Sequence, residues 1–548
     1  MAKLFSVLFK TKENKDSYQK KLNEIGDWLK NEYSELSIKI IDHDTKYFVI
    51  IGSQDGLSIN VDYGILGFCE RNDWTINDKV PDGNFFIYRT KDDFFQLISD
   101  TTLSRTIYYY ADEDYFVFSS LQIPIIFFKN KFCFNKENTP WFLTSGIHKP
   151  FHSFDEKVKI LPPQNILSLN LYSFEYSKSE YKINISTSND GYKDFVSVIK
   201  KSFADTIPKD KKAILLSGGI DSRLLLNLID DKSGLTAITW TKKLTEESST
   251  DLSIAKEIAS KYDLSHEIIH LKNNDFNIVF DQFLKFSEGR IDLISGYLDG
   301  FNAWSIIEKM KLSSLFRGDE TFSLYNGVTF SLIRHRNGVL ELDDFGTSLN
   351  KYLLENKYDF SEIKEHEGET LASYAKRIRI GYRVPFILGA LNEIKCCFVE
   401  IYNPLLNNSI VEYSKQLNPA IDYREKYFKK INKEFSSIKY ASKVSVERVD
   451  DYLANHKKEL LHRLENIDKE VFTKIGLDID AITQLLDRMS MINKPKSKWS
   501  VLKSFFPKKI KKRLLKLKKH QLSDIRIGFR ILILAETFIK IEKMQHDN

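Results

Sequence analysis

A chain of 548 residues that is 42% hydrophobic and 13% aromatic, with 23 Gly and 12 Pro, excludes general disorder, and its length exceeds what one hydrophobic core organises, so two or three domains are expected. A net charge of +6 on 81 basic and 75 acidic residues is too mild to mark a nucleic-acid binder. The four cysteines, Cys69, Cys133 and the neighbours Cys396 and Cys397, lack metal-ligand spacing and suit a reducing, cytoplasmic protein.

The opening "MAKLFSVLFKTKENKDSYQK" holds an apolar run too short for the core of an export signal, and it ends in charges. Up to residue 180 or so, β-branched and aromatic runs alternate with polar turns: "LSIKIIDHD", "KYFVIIGSQDG", "GNFFIYRTKDDFFQLISD", "RTIYYYADEDYFVFSS" and "NILSLNLYSFEYS". That pattern predicts a mostly antiparallel β domain. The polar, turn-rich "EYKINISTSNDGYKDF" marks a boundary. Beyond it "YKDFVSVIKKSFADTI" predicts a helix, "KAILLS" a strand, "DSRLLLNLIDD" a helix, "GLTAITWT" a strand, "TDLSIAKEIASKYD" a helix and "SHEIIHL" a strand. Strands alternating with amphipathic helices predict a parallel α/β sheet.

From about residue 275 the chain reads as mainly helical, without repeats. The late apolar stretch "IRIGFRILILAETFIKIEKM" carries Arg526, Arg530, Glu536 and Lys540, which a bilayer would penalise, so it predicts a buried or docking helix and no membrane span. In "FPKKIKKRLLKLKKHQ", residues 506–521, Ile510, Leu514 and Leu517 share one helical face among lysines. The expectation is a solvated helix docked by that face; the alternative is a site for an acidic peptide, an anionic glycan or a membrane surface.

The stretch richest in chemistry is "KKAILLSGGIDSRLLLNLI", residues 211–229. In an open α/β sheet ligands bind at the carboxyl ends of strands, where "SGGIDS" lies. Adjacent glycines admit an anion to the backbone N–H groups, and the following helix adds a positive dipole end. Ser217 and Ser222 supply hydroxyls and Asp221 a metal-binding carboxylate. Neither G-x-x-x-x-G-K-[ST] nor G-x-G-x-x-G is present. The alternative is a Gly-Gly turn in which Asp and Ser serve only as helix N-caps.

"LSGGIDSR" is similar to the pyrophosphate-binding loop of the asparagine synthase-like branch of the ATP-pyrophosphatase superfamily. Further blocks follow in that family's order. They are "TAITWTKKLTEESSTDLSIAKEIASKYDLSHEIIHL" with Asp251, Ala255, Ala259 and His266, then "SLFRGDETF" with Asp319 and Glu320, then "VEIYNPLLNNSIVEYSKQLNP" with "REKYFKKI", where Asn403, Pro404, Leu405, Glu412 and Lys426 fall in register. Toward the N-terminus, the region around Gly83, Asp100, Tyr109 and Ser119 resembles the family's glutamine-amidotransferase domain.

The resemblance implies an α/β fold in three parts. Residues 1–185 would form an antiparallel β-rich, Ntn-hydrolase-like (αββα) domain, residues 190–470 a parallel-sheet adenine nucleotide α-hydrolase-like domain with a helical C-terminal part, and residues 471–548 a basic helical extension. It also implies carboxylate activation by ATP with Mg²⁺, release of pyrophosphate, and displacement of AMP by an amine. Leu216, Ser217, Gly218, Gly219, Asp221, Ser222, Trp240 and Gly318 would surround the nucleotide, and Asp221 and Asp319 would hold the metal. Lys443, with Lys439 second, would be the lysine that steadies the adenylation transition state.

Two departures stand out. Glutamine-hydrolysing members expose a cysteine after the initiator Met, where this chain has Ala2 and then Lys3. Glutamine hydrolysis by that route is therefore excluded, and free ammonia or an amine of the substrate is expected instead. Three positions before Asp319, where asparagine-forming members carry Glu and β-lactam-forming ones Tyr, stands Phe316, which can neither accept nor donate a proton; Arg317 also replaces a glycine. Expected partners are a small-molecule or peptide carboxylate and a precursor peptide or partner protein; a homodimer is compatible with this reading.

Overall fold

The computed structural model describes residues 3–52, 59–70, 79–129, 131–183, 185, 191–208, 211–242, 250–323, 327–354, 358–431, 433, 435, 437–441, 449–491 and 519–546. Ala2, Lys443 and residues 506–518 of the basic stretch lie outside them.

Two antiparallel sheets build the N-terminal region. The first has the strand order Ile38–His43, Lys46–Ile51, Lys3–Phe9, Tyr115–Ser119, Tyr108–Ala111, Lys159–Ile160; the second has Tyr176–Glu180, Asn165–Asn170, Phe94–Ser99, Gly83–Lys91, Tyr63–Cys69. Their inner faces meet in an apolar layer that includes Leu4, Leu8, Phe48, Phe86, Tyr88, Phe95 and Phe118. Side chains alternate across a strand, so Phe5, Val7 and Phe9 turn the other way, toward the helices Gln19–Glu32 and Gln122–Phe128. The strand Lys3–Phe9 is thus buried on both faces. The C-terminal half of the chain packs against the second sheet at Gly83–Lys91 and Tyr63–Cys69. Asn84 donates to the Leu406 carbonyl (2.8 Å) and Asn408 accepts from the Thr101 amide (2.9 Å).

The third sheet is parallel throughout, in the order Ser265–His270, Leu235–Thr241, Lys212–Leu215, Ser314–Phe316, Ile401–Tyr402. The helices Ile220–Leu228 and Asp251–Lys261 connect its first three strands in sequence. Strand order reverses beside Lys212–Leu215: the next strand in the chain lies on one side of it, and Ser314–Phe316 on the other. That pair defines the topological switch point, and a crevice opens beyond its carboxyl ends.

The late apolar stretch forms the 23-residue helix Asp524–His546. It packs on Asn138–Ser145, Val449–Asn455, Lys457–Glu465 and Ile479–Met491, and residues from Phe5 to Ile541 share one continuous core. Among the described residues no helix is long and apolar enough to cross a membrane.

Candidate active site

The strand Lys212–Leu215 runs into Leu216 and the turn Ser217–Gly219, and the helix Ile220–Leu228 starts with Gly219 as its N-cap. No side chain caps this helix, so the reading of Asp and Ser as N-caps does not describe the turn. The extended backbone of Gly219 (φ −80°, ψ 172°) places Asp221 inside the first turn. Ser222 Oγ instead binds back on Ser217, donating to its carbonyl and accepting from its amide at 3.2 and 3.3 Å. The first-turn amides are left to an outside acceptor, which is the condition for an anion site at a helix N-terminus.

The turn is fixed from three directions. The Gly218 amide donates to Asp251 Oδ1 (3.0 Å), from the first turn of Asp251–Lys261. Arg223, fully buried, donates to the carbonyls of Gly218 (3.3 Å), Ile438 (3.1 Å) and Lys439 (2.6 Å) and lies over the Tyr440 ring at 4.2 Å. Beneath, Thr239 donates to the Leu216 carbonyl (2.7 Å) and its hydroxyl contacts His266 Nε2 (2.9 Å). A side chain at Gly218 would set its Cβ 2.5 Å from that of Ala441. Gly218→Ala is therefore expected to cost about 1–3 kcal/mol or to push the turn off residues 438–441. Gly219→Ala meets only Ser217 Oγ, at 3.2 Å, and is expected to be milder; thermal denaturation of the two variants, read beside nucleotide binding, checks the difference.

Across the switch point, Ser314–Phe316 leads into Arg317, Gly318, Asp319 and Glu320. Gly318 allows the second loop onto the first, since a Cβ there would stand 2.8 Å from the Asp221 carbonyl oxygen. Asp221 Oδ1 accepts from Arg424 (2.9 Å), and Asp319 Oδ2 accepts from Arg317 (3.1 Å). Burial pushes the Asp221 carboxyl up; Arg424 opposes this, and the nearby Glu320 and Asp319 add to it. Burial also acts upward on Asp319, but Arg317, Lys395 and Arg379 outweigh it and hold that carboxyl below the usual range. Lys395, itself buried, is held well below the ordinary lysine range by burial and by Arg317. Glu320 is a structural carboxylate: it accepts from Arg379 (3.1 Å) and from the amides of Phe322 and Ser323 (2.7 and 2.8 Å).

The structure thus brings together Ser217, Gly218, Gly219, Asp221, Ser222, Gly318 and Asp319. Lys439 reaches the site by its backbone carbonyl while its side chain is exposed. Trp240, at the end of the neighbouring strand and edge-on to Trp304 (5.3 Å), lines a separate cleft of about 140 Å³ with Lys242 and Asp299. Phe316 is fully buried against Tyr402 (5.6 Å) in the core under the sheet, so that position does not line the crevice. Arg424, Arg379 and Lys395 stand in no motif that marks them in the sequence. Arg424 opens "REKYFKKI", and its spacing from Asp221 gave no signal.

Among the described residues no three His, Cys, Asp or Glu side chains cluster as a metal site. Two carboxylates from separate loops nonetheless fit Mg²⁺, which commonly takes one or two carboxylates and completes its shell with water and substrate phosphate oxygens.

Residues 200–295 match the asparagine synthase family model, a segment that holds the turn, Trp240, Asp251 and His266 and ends before Asp319. No curated protein matches the chain. Similar solved structures include the NH3-dependent NAD synthetase from Campylobacter jejuni subsp. jejuni, which is 19% identical, with 27% of this chain and 72% of that one covered and a TM-score of 0.16. The U34-tRNA thiolase from Methanococcus maripaludis is 14% identical over 46% and 76% of the two chains, TM-score 0.21. The glutamine phosphoribosylpyrophosphate amidotransferase from B. subtilis is 8% identical over 72% and 92%, TM-score 0.21.

Proposed function

We propose that this asparagine synthase-like chain is an ATP-dependent, AMP-forming amide ligase without glutaminase activity. The family match over residues 200–295 supports an ATP-using amide-forming enzyme, and the observation that carries the finer reading is the uncapped helix start at Gly219, with Asp221 in its first turn and the Gly318–Asp319 loop against it from across the switch point. In this reading a substrate carboxylate oxygen attacks the α-phosphorus of ATP, the bond to the β-phosphate oxygen breaks, and pyrophosphate leaves. An amine then attacks the acyl carbon and AMP departs with the bonding electrons. The first-turn amides cradle the pyrophosphate, Arg317 adds positive charge beside it, and Arg223 keeps the turn in register with residues 438–441. Mg²⁺ held by Asp221 and Asp319 would neutralise charge on the leaving group. Lys443 and Lys439 are the lysines proposed to steady the transition state.

The amine is free ammonia or belongs to the substrate, because Ala2 occupies the place of the nucleophilic cysteine. Lys3, next in sequence, is buried in an ion pair with Glu393. Cyclisation of a modified peptide or natural product is placed ahead of ammonia-dependent asparagine synthesis and of glycan amidation. One observation favours a second reading, a nucleotide-binding scaffold: both proposed metal carboxylates are already engaged, by Arg424 and Arg317. ATP–pyrophosphate exchange across a panel of carboxylates separates the two. Exchange with any member supports the ligase, ATP binding without exchange supports the scaffold, and the absence of both overturns each.

A further inference from the structure

A cavity of about 700 Å³ lies away from the crevice and shares none of its residues; it is walled by the helices Asn138–Ser145, Phe330–Asn337 and Asp524–His546 and by residues 383–391. Among the described residues its charged lining is one-sided: Arg336, Arg383, Lys519, Arg526 and Arg530 face a single carboxylate, Asp292. At the deep end Asp292, 1% exposed, accepts at the same oxygen from Arg526 (2.9 Å) and Arg530 (2.6 Å). One carboxylate cannot balance two buried guanidiniums, and Asp450, which also acts on Arg530, does not line the cavity. Lys519 at the mouth donates to a neutral group, the Asp343 carbonyl (2.7 Å). The sequence supplies no counter-charge from the adjoining chain, because residues 492–523 include twelve Lys and Arg and no Asp or Glu. One part of the remaining wall is apolar, with Leu340, Phe345, Ile387, Leu388 and Leu391, beside polar groups that include Ser331, His335, His520 and Gln521.

We propose that this cavity binds a small organic anion with an apolar portion, its phosphate or carboxylate head on the arginines and its body on the leucine wall. The volume falls within the range of small-molecule sites, and clustered guanidiniums give planar, charge-assisted hydrogen bonds that either head group accepts. This site is independent of the ligase reading. The π-helical turns Arg379–Leu388, wound around Pro385, join the two places: Arg379 holds the Glu320 loop at one end, and Ile387 and Leu388 line the cavity at the other.

Titration calorimetry on the full chain at low ionic strength, with octyl phosphate, octanoate and inorganic phosphate as probes, tests it. Saturable binding of octyl phosphate or octanoate is expected, and the stronger of the two assigns the head group. Arg336→Glu combined with Lys519→Glu, both exposed positions, is expected to weaken that binding by about tenfold or more, and Arg383→Gln to weaken it as well, with melting temperatures confirming that each variant folds. The proposal is overturned if neither alkyl anion binds the wild-type chain, if the variants bind as tightly as wild type, or if inorganic phosphate alone binds as tightly as octyl phosphate.

Discussion

Asp221→Asn is expected to lower ATP–pyrophosphate exchange by about 10²-fold or more while leaving the fold intact. The carboxylate is 49% exposed and pairs with Arg424, which also lies 3.9 Å from Asp422, so the amide leaves no cation stranded. A partly exposed pair of this kind contributes about 0–1 kcal/mol. Because burial raises the folded-state pKa of Asp221, its ionisation opposes folding, and stability falls slightly as pH rises through that pKa. The neutral variant should therefore melt at or slightly above the wild-type temperature at neutral pH. Undiminished exchange in Asp221→Asn would remove the pyrophosphate-cradle reading and leave the chain's relation to ATP to be sought elsewhere.

The parallel sheet was legible because each of its first three strands and the helices between them carries its own periodicity, and "SGGIDS" marks the end of the first strand whatever the rest of the chain does. The strand Lys3–Phe9 was not. Buried on both faces, "KLFSVLF" shows no apolar–polar alternation and reads as a bare apolar run. Helix Gln19–Glu32 hid in the same way: its stripe Leu22, Ile25, Leu29 is thin among charged neighbours. In the site, Gly218, Asp221 and Asp319 lie in short motifs and were found. Arg424 is 203 residues from Asp221 and Arg379 is 59 from Glu320, and only the helical half of the chain, folded over the sheet, makes them partners. Phe316 offers no proton-transferring group, and its core position accounts for an aromatic side chain beside a polar loop.

Glu393→Gln is expected to destabilise the protein by about 3–5 kcal/mol, the range for breaking a buried ion pair by removing one partner. Glu393 sits in the helix Gly389–Lys395 and is 2% exposed. It pairs with Lys3 of the first strand, lies 3.4 Å from Arg105 Nε and accepts from the Thr106 amide (3.0 Å), while Arg105 also donates to Glu400 (2.9 Å). Lys3 of the first strand and Arg105 of the N-terminal region are thus neutralised by two carboxylates of the C-terminal half, and the amide would leave Lys3 buried with only the more distant Glu288 as a counter-charge. Burial alone would raise the Glu393 pKa, but Arg105 and Lys3 outweigh it and the folded value lies below the ordinary 4.5. A carboxylate with a depressed folded pKa stabilises fully above its unfolded pKa and loses that contribution as pH falls through the folded one. The melting-temperature gap between wild type and Glu393→Gln should accordingly be constant at neutral pH and shrink once the pH drops below about 4.5. Lys3→Met with Glu393→Leu, which removes both charges, should recover part of the loss, because apolar replacement of a whole buried pair is often tolerated. A gap that does not change on acidification, or a double variant no more stable than Glu393→Gln, would mean that the ion pair does not hold the sheets to the C-terminal half and that apolar packing alone does.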